Sequence, residues 1–279
     1  MKKITEKQII DVIKEMCIQT NCCLNTDVSD ALETSYENEI SETGKEILNQ
    51  LVINAKIAGS EMIPICQDTG MVVCFVEIGQ DVFVEGSLED AINEGVRRGY
   101  SEGFLRKSVV SDPILRENTG DNTPAVIHYQ IVSGDSLKIS ILPKGFGSEN
   151  MSALKMLTPS QGIEGIIDFV LETCSNAGPN PCPPIIVGVG IGGTMEKSAI
   201  LAKKSLLRKI GVSNPLPHIA ELEKTLLSET NKLGIGPGGL GGITTALAVN
   251  IEIYPTHIAG LPVSVNISCH ATRHLEVEL

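Results

Sequence analysis

The sequence predicts a mixed α/β (α+β) protein, a sheet surrounded by helices in a single large domain covering residues 1–279, with residues 1–60 as its helical portion. Three observations carry this. The first third repeats apolar residues at helical spacing. The rest alternates short β-type runs with further helical patterns, and no internal repeat or low-complexity linker interrupts them.

Thr5-Glu-Lys-Gln8 has the form of a capping box and opens a helix with Ile9, Ile10, Ile13, Met16 and Cys17 on one face. A second helix covers Val28, Ala31 and Leu32. A third carries Ile47, Leu48, Leu51, Val52 and Ala55 and stops near Gly59. An apolar strand follows at Met71–Val76, then a helix from about Leu88 to Leu105. The runs Ala125–Val132 and Leu137–Leu142 flank Ser133-Gly-Asp135, the pattern of a hairpin. Further on come a helix over Ile163–Cys174, a break at "AGPNPCPP", a strand over Ile185–Val189, and helices over Met195–Arg208 and His218–Lys232. The glycine-rich "GIGPGGLGG" precedes two last strands, Ile243–Tyr254 and Val263–Ile267.

Composition excludes several functions. Hydrophobic residues make up 42 % of the chain and aromatics only 3 %, with no Trp, so the core must be built from Ile, Leu, Val and Ala. A net charge of −12 argues against nucleic acid as a partner, since phosphate binding needs clustered Lys and Arg. No apolar run reaches the roughly 18 residues of a membrane helix. The N-terminus lacks the unbroken apolar stretch of a signal peptide, so the expected location is cytoplasmic. Eight cysteines in a reducing compartment read as buried thiols, metal ligands or reactive thiols rather than disulfides.

Gly188-x-Gly190-x-x-Gly193, between a strand and a helix, imitates a dinucleotide fingerprint. Such a site also needs an acidic residue about 20 positions on. None occurs from Lys197 to Ala220, so these glycines are expected to allow close backbone approach, or to present a helix N-terminus to an anion.

Three cysteines lie in turn contexts at strand ends: Cys66 in "ICQDTG", Cys182 in "NPCPP" and Cys269 in "NISCHATRH". They are too far apart for a local zinc or ferredoxin pattern, so position alone leaves ligands and ordinary thiols both open. The ordered motifs "PICQDTG", "NTGDNTPA", "KGFGSEN", "NPCPPIIVGVGIGGT" and "HIAGLPVSVNISCHATRH", over residues 64–274, decide between them. Together they resemble the iron–sulfur-dependent class I fumarate hydratases, in particular the separate α subunit of the two-subunit fumarase and L(+)-tartrate dehydratase type.

The resemblance implies that Cys66, Cys182 and Cys269 hold a [4Fe–4S] cluster with one iron free of protein ligands, and that Cys17, Cys22, Cys23, Cys74 and Cys174 are structural. A free iron is a Lewis acid for a substrate's carboxylate and hydroxyl oxygens. Asp68, two residues from Cys66, is then the general acid/base; read without the resemblance, it could equally cap a turn. Gln67 would donate a hydrogen bond to substrate. Arg106 matches the family's carboxylate-binding arginine, with Arg116 ranked second. Gly147 would offer its backbone N–H, and His257 would reach the substrate, from a neighbouring subunit if not from its own. His270 and His274 flank Cys269 but carry no assigned role.

The resemblance further implies reversible dehydration of a C4 2-hydroxy dicarboxylate, malate/fumarate first, with L(+)-tartrate or mesaconate as alternatives. Fused members continue past the last cysteine motif into a second domain. The expectation here is therefore a separate β subunit completing the site in an α2β2 assembly, with a small dicarboxylate as substrate and neither nucleic acid nor membrane as partner. A non-catalytic iron–sulfur sensor or assembly module is the alternative from another class. A zinc hydrolase is disfavoured by a three-cysteine set with no matching His or Glu.

Overall fold

The computed structural model describes residues 2–279. Its elements, in chain order, are β1 (Lys2–Thr5), α1 (Glu6–Cys22), α2 (Thr26–Asn38), α3 (Glu42–Glu61), β2 (Met71–Gly79), β3 (Val82–Glu85), α4 (Leu88–Glu102), β4 (Val126–Val132) and β5 (Leu137–Lys144). They continue with α5 (Phe146–Glu149), β6 (Ala153–Leu157), α6 (Gly162–Ala177), β7 (Ile185–Gly192), α7 (Met195–Ser205), α8 (Pro217–Lys232), β8 (Ala246–Tyr254), β9 (Leu261–Ser268) and β10 (Leu275–Glu278). The mixed α/β class expected from sequence holds. It is built as two compact units: Met1–Asn25, Ala55–Phe146 and Arg273–Leu279 form the first, Thr26–Asn54 and Gly147–Thr272 the second.

In the first unit a four-stranded sheet runs β10-β5-β2-β4, and β1 pairs in parallel with β3. Helix α1 begins with the capping box read from sequence: Gln8 N–H donates to Thr5 Oγ1 at 3.3 Å, and Thr5 N–H donates to Gln8 Oε1 at 2.9 Å. Its buried residues Ile9, Ile13, Met16 and Cys17 join one core with Val72, Cys74 and Val76 of β2 and Ile139 and Ile141 of β5. The strand residues alternate because a strand's side chains have period two. Each large apolar side chain buried there contributes about 1.5–3 kcal/mol.

In the second unit the sheet order is β6-β9-β7-β8. The odd positions of β7, Ile185 to Ile191, face a core shared with Ile166, Phe169 and Val170 of α6 and Ile219, Leu222 and Leu226 of α8. The even positions Gly188 and Gly190 face α7: a Cβ there would lie 2.1 Å from the Ala202 carbonyl and 2.0 Å from the Ser198 carbonyl. The fingerprint-like glycines thus let a helix backbone press directly onto a strand.

The structure corrects the expected hairpin at Ser133-Gly-Asp135. β4 and β5 do not pair; β2 lies between them, parallel to β4 and antiparallel to β5. The backbone at residues 132–136 bonds to residues 79–81 instead of closing a β4–β5 turn, with the Gln80 N–H donating to the Val132 carbonyl and the Asp81 N–H to the Gly134 carbonyl, each at 2.9 Å, and β2, more buried than β4, lies inside it in the sheet. Four short strands, β1, β3, β6 and β10, were missed, because four or five residues at a sheet edge carry too little periodic signal. Among the described residues no helix is long and apolar enough to cross a membrane.

Candidate functional site

The predicted site residues fall into two groups, one in each unit. In the first, the chain leaves α3, turns through residues 66–70 and enters β2. Asp68 is held at four points. Its N–H donates to Cys66 Sγ at 3.4 Å, its Oδ1 accepts the Gly70 N–H at 3.1 Å, and its Oδ2 accepts the Phe146 N–H at 2.9 Å. Its carbonyl accepts from Arg273 Nη2 at 2.8 Å. The next two carbonyls are also claimed by buried side chains. Tyr100 Oη donates to Thr69 O at 2.7 Å and to Gly70 O at 3.0 Å, and Asn122 Nδ2 donates to Gly70 O at 3.1 Å. Burial pushes the Tyr100 phenol far above its ordinary range, so it remains a donor at any working pH.

Gly70 has φ +77, and a Cβ there would sit 2.8 Å from the Lys144 backbone, so the turn admits only glycine. Thr69 Oγ1 donates to the Arg106 carbonyl at 2.9 Å, which ties the Arg106 loop to the same turn. The side chains expected to meet substrate, Gln67 and Arg106, are exposed, and among the described residues no ion pair engages Arg106. Arg116 is exposed too, at φ +64, on a loop where the Asp112 carboxylate accepts from the Ile114 and Leu115 N–H groups.

In the second unit, sheet register brings two of the thiol-bearing segments to one end. Cys182 lies just before β7 and Cys269 just after β9, and these strands pair antiparallel with Ile186 opposite Ser268. His270 Nδ1 lies 3.0 Å from the Cys182 carbonyl, and Thr272 Oγ1 donates to the Cys269 carbonyl at 2.8 Å. Cys182 itself is exposed, with φ +55, a conformation costing a non-glycine residue of order 1–2 kcal/mol. Its loop is braced from the glycine-rich segment, where the Gly238 N–H donates to the Pro183 carbonyl at 2.8 Å. That segment is in turn fixed by Glu39, 1 % exposed, whose carboxylate accepts from the Ile40, Ser41, Ile243 and Thr244 N–H groups.

Gly147 is exposed on α5; apart from its own helix and chain neighbours, the nearest atom to where a Cβ would stand is the Asn180 carbonyl oxygen, at 3.9 Å. His257 does not join the Cys182–Cys269 end. It is exposed and precedes β9, at the opposite end of that eight-residue strand from Cys269. Its Nδ1 accepts the Ala259 N–H at 3.1 Å.

Burial divides the cysteines, but not along the expected line, since Cys23, expected to be structural, is exposed. Cys17, Cys22, Cys74 and Cys174 are buried, and burial pushes the Cys74 and Cys174 thiols up to about 12, unsuited to metal at neutral pH. Cys66, Cys182 and Cys269 are all partly or fully accessible, and so is Cys23. Among the described residues no three His, Cys, Asp or Glu side chains are gathered closely enough to hold a metal ion. The donor chemistry nonetheless fits an iron–sulfur group: accessible thiols on turns, one already accepting an N–H···S bond of the kind that tunes cluster sulfurs. Sequence reasoning missed Arg273, Tyr100 and Asn122, which hold the Cys66 turn. Asn122 and Arg273 lie inside quoted motifs, but nothing local says that their side chains reach residues 68 and 70.

A family model described as "Fumarate hydratase (Fumerase)" matches residues 10–278. A Methanocaldococcus jannaschii protein with the provisional name L(+)-tartrate dehydratase subunit alpha is 48 % identical over 273 residues, 95 % of each chain. The L(+)-tartrate dehydratase subunit alpha of Escherichia coli K12 is 34 % identical over 280 residues, 98 % of this chain and 92 % of the relative. The Shigella sonnei protein of that name matches equally, at 34 % over 280 residues.

Proposed function

Because the chain belongs to the fumarate hydratase (Fumerase) family, we propose that it is the α subunit of an iron–sulfur hydro-lyase that removes water from L(+)-tartrate. Malate/fumarate stands first in the sequence reading. The names of the relatives at 48 % and 34 % identity favour tartrate instead. Malate/fumarate is the second reading, favoured by the family's own description.

Cys66, Cys182 and Cys269 hold the [4Fe–4S] cluster. When bound through three thiolates, it supplies a Lewis-acidic iron without a protein ligand. The observation that carries the proposal is the four-point hold on Asp68 beside Cys66. Both carboxylate oxygens rest on backbone N–H groups, so proton transfer to or from substrate needs no search for the right rotamer. Gln67, exposed on the same turn, donates from its amide to a substrate oxygen. Arg106, exposed and unpaired by any described carboxylate, takes one substrate carboxylate bidentately. Gly147 gives a backbone N–H to the same molecule. His257, on the far end of β9 from Cys269, acts on the site of a second copy of the chain. The relatives' designation as α subunits supports a companion β subunit, in an α2β2 assembly.

The test is anaerobic co-production of this chain with its companion subunit, followed by assays with L(+)-tartrate, malate and fumarate. A kcat/KM for L(+)-tartrate at least about tenfold above the others is expected, since a polar pocket rejects analogues lacking a hydroxyl it binds. Preference for malate or fumarate would move the assignment to the second reading. Absence of iron and sulfide in the purified complex would overturn the cluster.

A further inference from the structure

Arg273 is 3 % exposed, yet no ion pair among the described residues engages it. A buried guanidinium is costly unless negative charge or hydrogen-bond acceptors compensate it. Its Nη2 donates to the Asp68 carbonyl at 2.8 Å, 205 residues away in sequence, and its Nε has no hydrogen-bond partner. Burial raises both the Cys22 thiol and the Tyr100 phenol, and the Arg273 charge opposes each rise, so the cation sits within electrostatic reach of the residues beneath the turn. The turn itself carries a thiol at Cys66 and a carboxylate at Asp68 as its potential negative charges.

We infer that Arg273 is a positioning residue for the reaction: it fixes the Asp68 peptide plane and supplies the positive charge against which the Cys66–Asp68 turn is set. The inference rests on the proposed hydro-lyase reading for its kinetic consequence, but not for its structural one. The Asp68 N–H is committed to Cys66 Sγ and the Asp68 carbonyl to Arg273. Both peptides flanking Asp68 are therefore pinned, and the carboxylate's direction follows. Tyr100 and Asn122 hold only the two carbonyls further on, so neither can replace Arg273 at residue 68.

The test compares wild type, R273M and R273K in the full chain, by amide hydrogen exchange and by steady-state kinetics of the complex with its companion subunit. In R273M the Asp68 and Gly70 amides should exchange at least about tenfold faster while β7 is unchanged, as expected of a local opening. The kcat should fall about 10²-fold, the usual cost of a small misplacement, with KM within about threefold. R273K keeps the charge and one donor, and should bring exchange at the turn back to within about threefold of wild type. Wild-type exchange at residues 66–70 in R273M would overturn the inference, as would acceleration spread evenly over the chain, which marks a general stabiliser. If R273M does not fold, the same comparison is made on R273Q, which removes the charge but keeps a polar side chain: faster exchange confined to the turn supports the inference, and wild-type exchange there overturns it. If wild type dehydrates no C4 hydroxy diacid, the functional reading fails, and the exchange result still decides the role of Arg273.

Discussion

Asp68 Oδ2 accepts the Phe146 N–H at 2.9 Å across 78 residues of sequence, so the proposed proton-transfer carboxylate is aimed by a backbone group at the start of α5. Removing the charge while keeping the shape isolates its chemical role. Asp68→Asn should lower kcat by about 10²–10⁴-fold, the usual contribution of a general acid or base, with an unchanged circular dichroism spectrum. An Asp68→Asn enzyme within twofold of wild type would show that proton transfer lies elsewhere.

The accessible cysteines should behave differently from the buried ones. Serine in place of Cys66, Cys182 or Cys269 is expected to strip iron and sulfide from anaerobically purified protein. Cys174→Ser should retain them and instead lose stability, because a hydroxyl replaces a fully buried thiol. Iron and acid-labile sulfide analysis reads the first effect and chemical denaturation the second. Full iron content in the Cys182→Ser protein would remove that residue from the ligand set.

Glu39 predicts a pH dependence of stability. Burial works to raise its carboxyl, but backbone N–H bonds from Ile243, Ser41, Ile40 and Thr244 outweigh this and hold it below its ordinary 4.5. A carboxylate lowered by folding stabilises above its unfolded value, and that contribution is lost as pH falls through the folded one. Unfolding free energy should therefore drop as the pH is taken below about 4.5. Glu39→Gln should flatten this slope and cost about 1–3 kcal/mol at pH 7, with acceptor capacity lost for buried N–H groups. An unchanged slope in that variant would mean that other carboxylates govern acid unfolding.

Gly190→Ala tests the packing of α7 on β7. The new methyl would stand 2.0 Å from the Ser198 carbonyl, so helix and strand must separate. Overpacking of this kind costs about 1–3 kcal/mol or more. Denaturant melts should show the loss, whereas Gly120→Ala, with no atom within 4 Å of the new Cβ but a φ of +80, would report backbone strain alone.

The candidate Cys66–Gly70 turn was legible in sequence because its motif is local. Cys66, Gln67 and Asp68 lie side by side, and the turn that carries them is punctuated by Gly70. The partners that make the turn rigid were not legible. Tyr100, Asn122 and Arg273 lie 31, 52 and 205 residues from the carbonyls they hold, and no spacing rule reaches that far. The glycines of "GVGIGG" were legible as sites of close approach, but whether a ligand or a helix approached them depended on where α7 packed.

By itself the sequence determined whatever depends on neighbours within about a turn of chain: the Thr5 capping box, the apolar face of α1, and the apolar run Met71–Val76 that becomes β2. Tertiary structure alone decided which strand stands between β4 and β5, which end of the β7–β9 pair gathers Cys182 and Cys269, and which side of that pair His257 is denied. Local patterns record the period and polarity of a segment. Pairing partners and hydrogen-bond donors are chosen by competition among segments far apart in the chain, and that competition is settled only when all of them are packed.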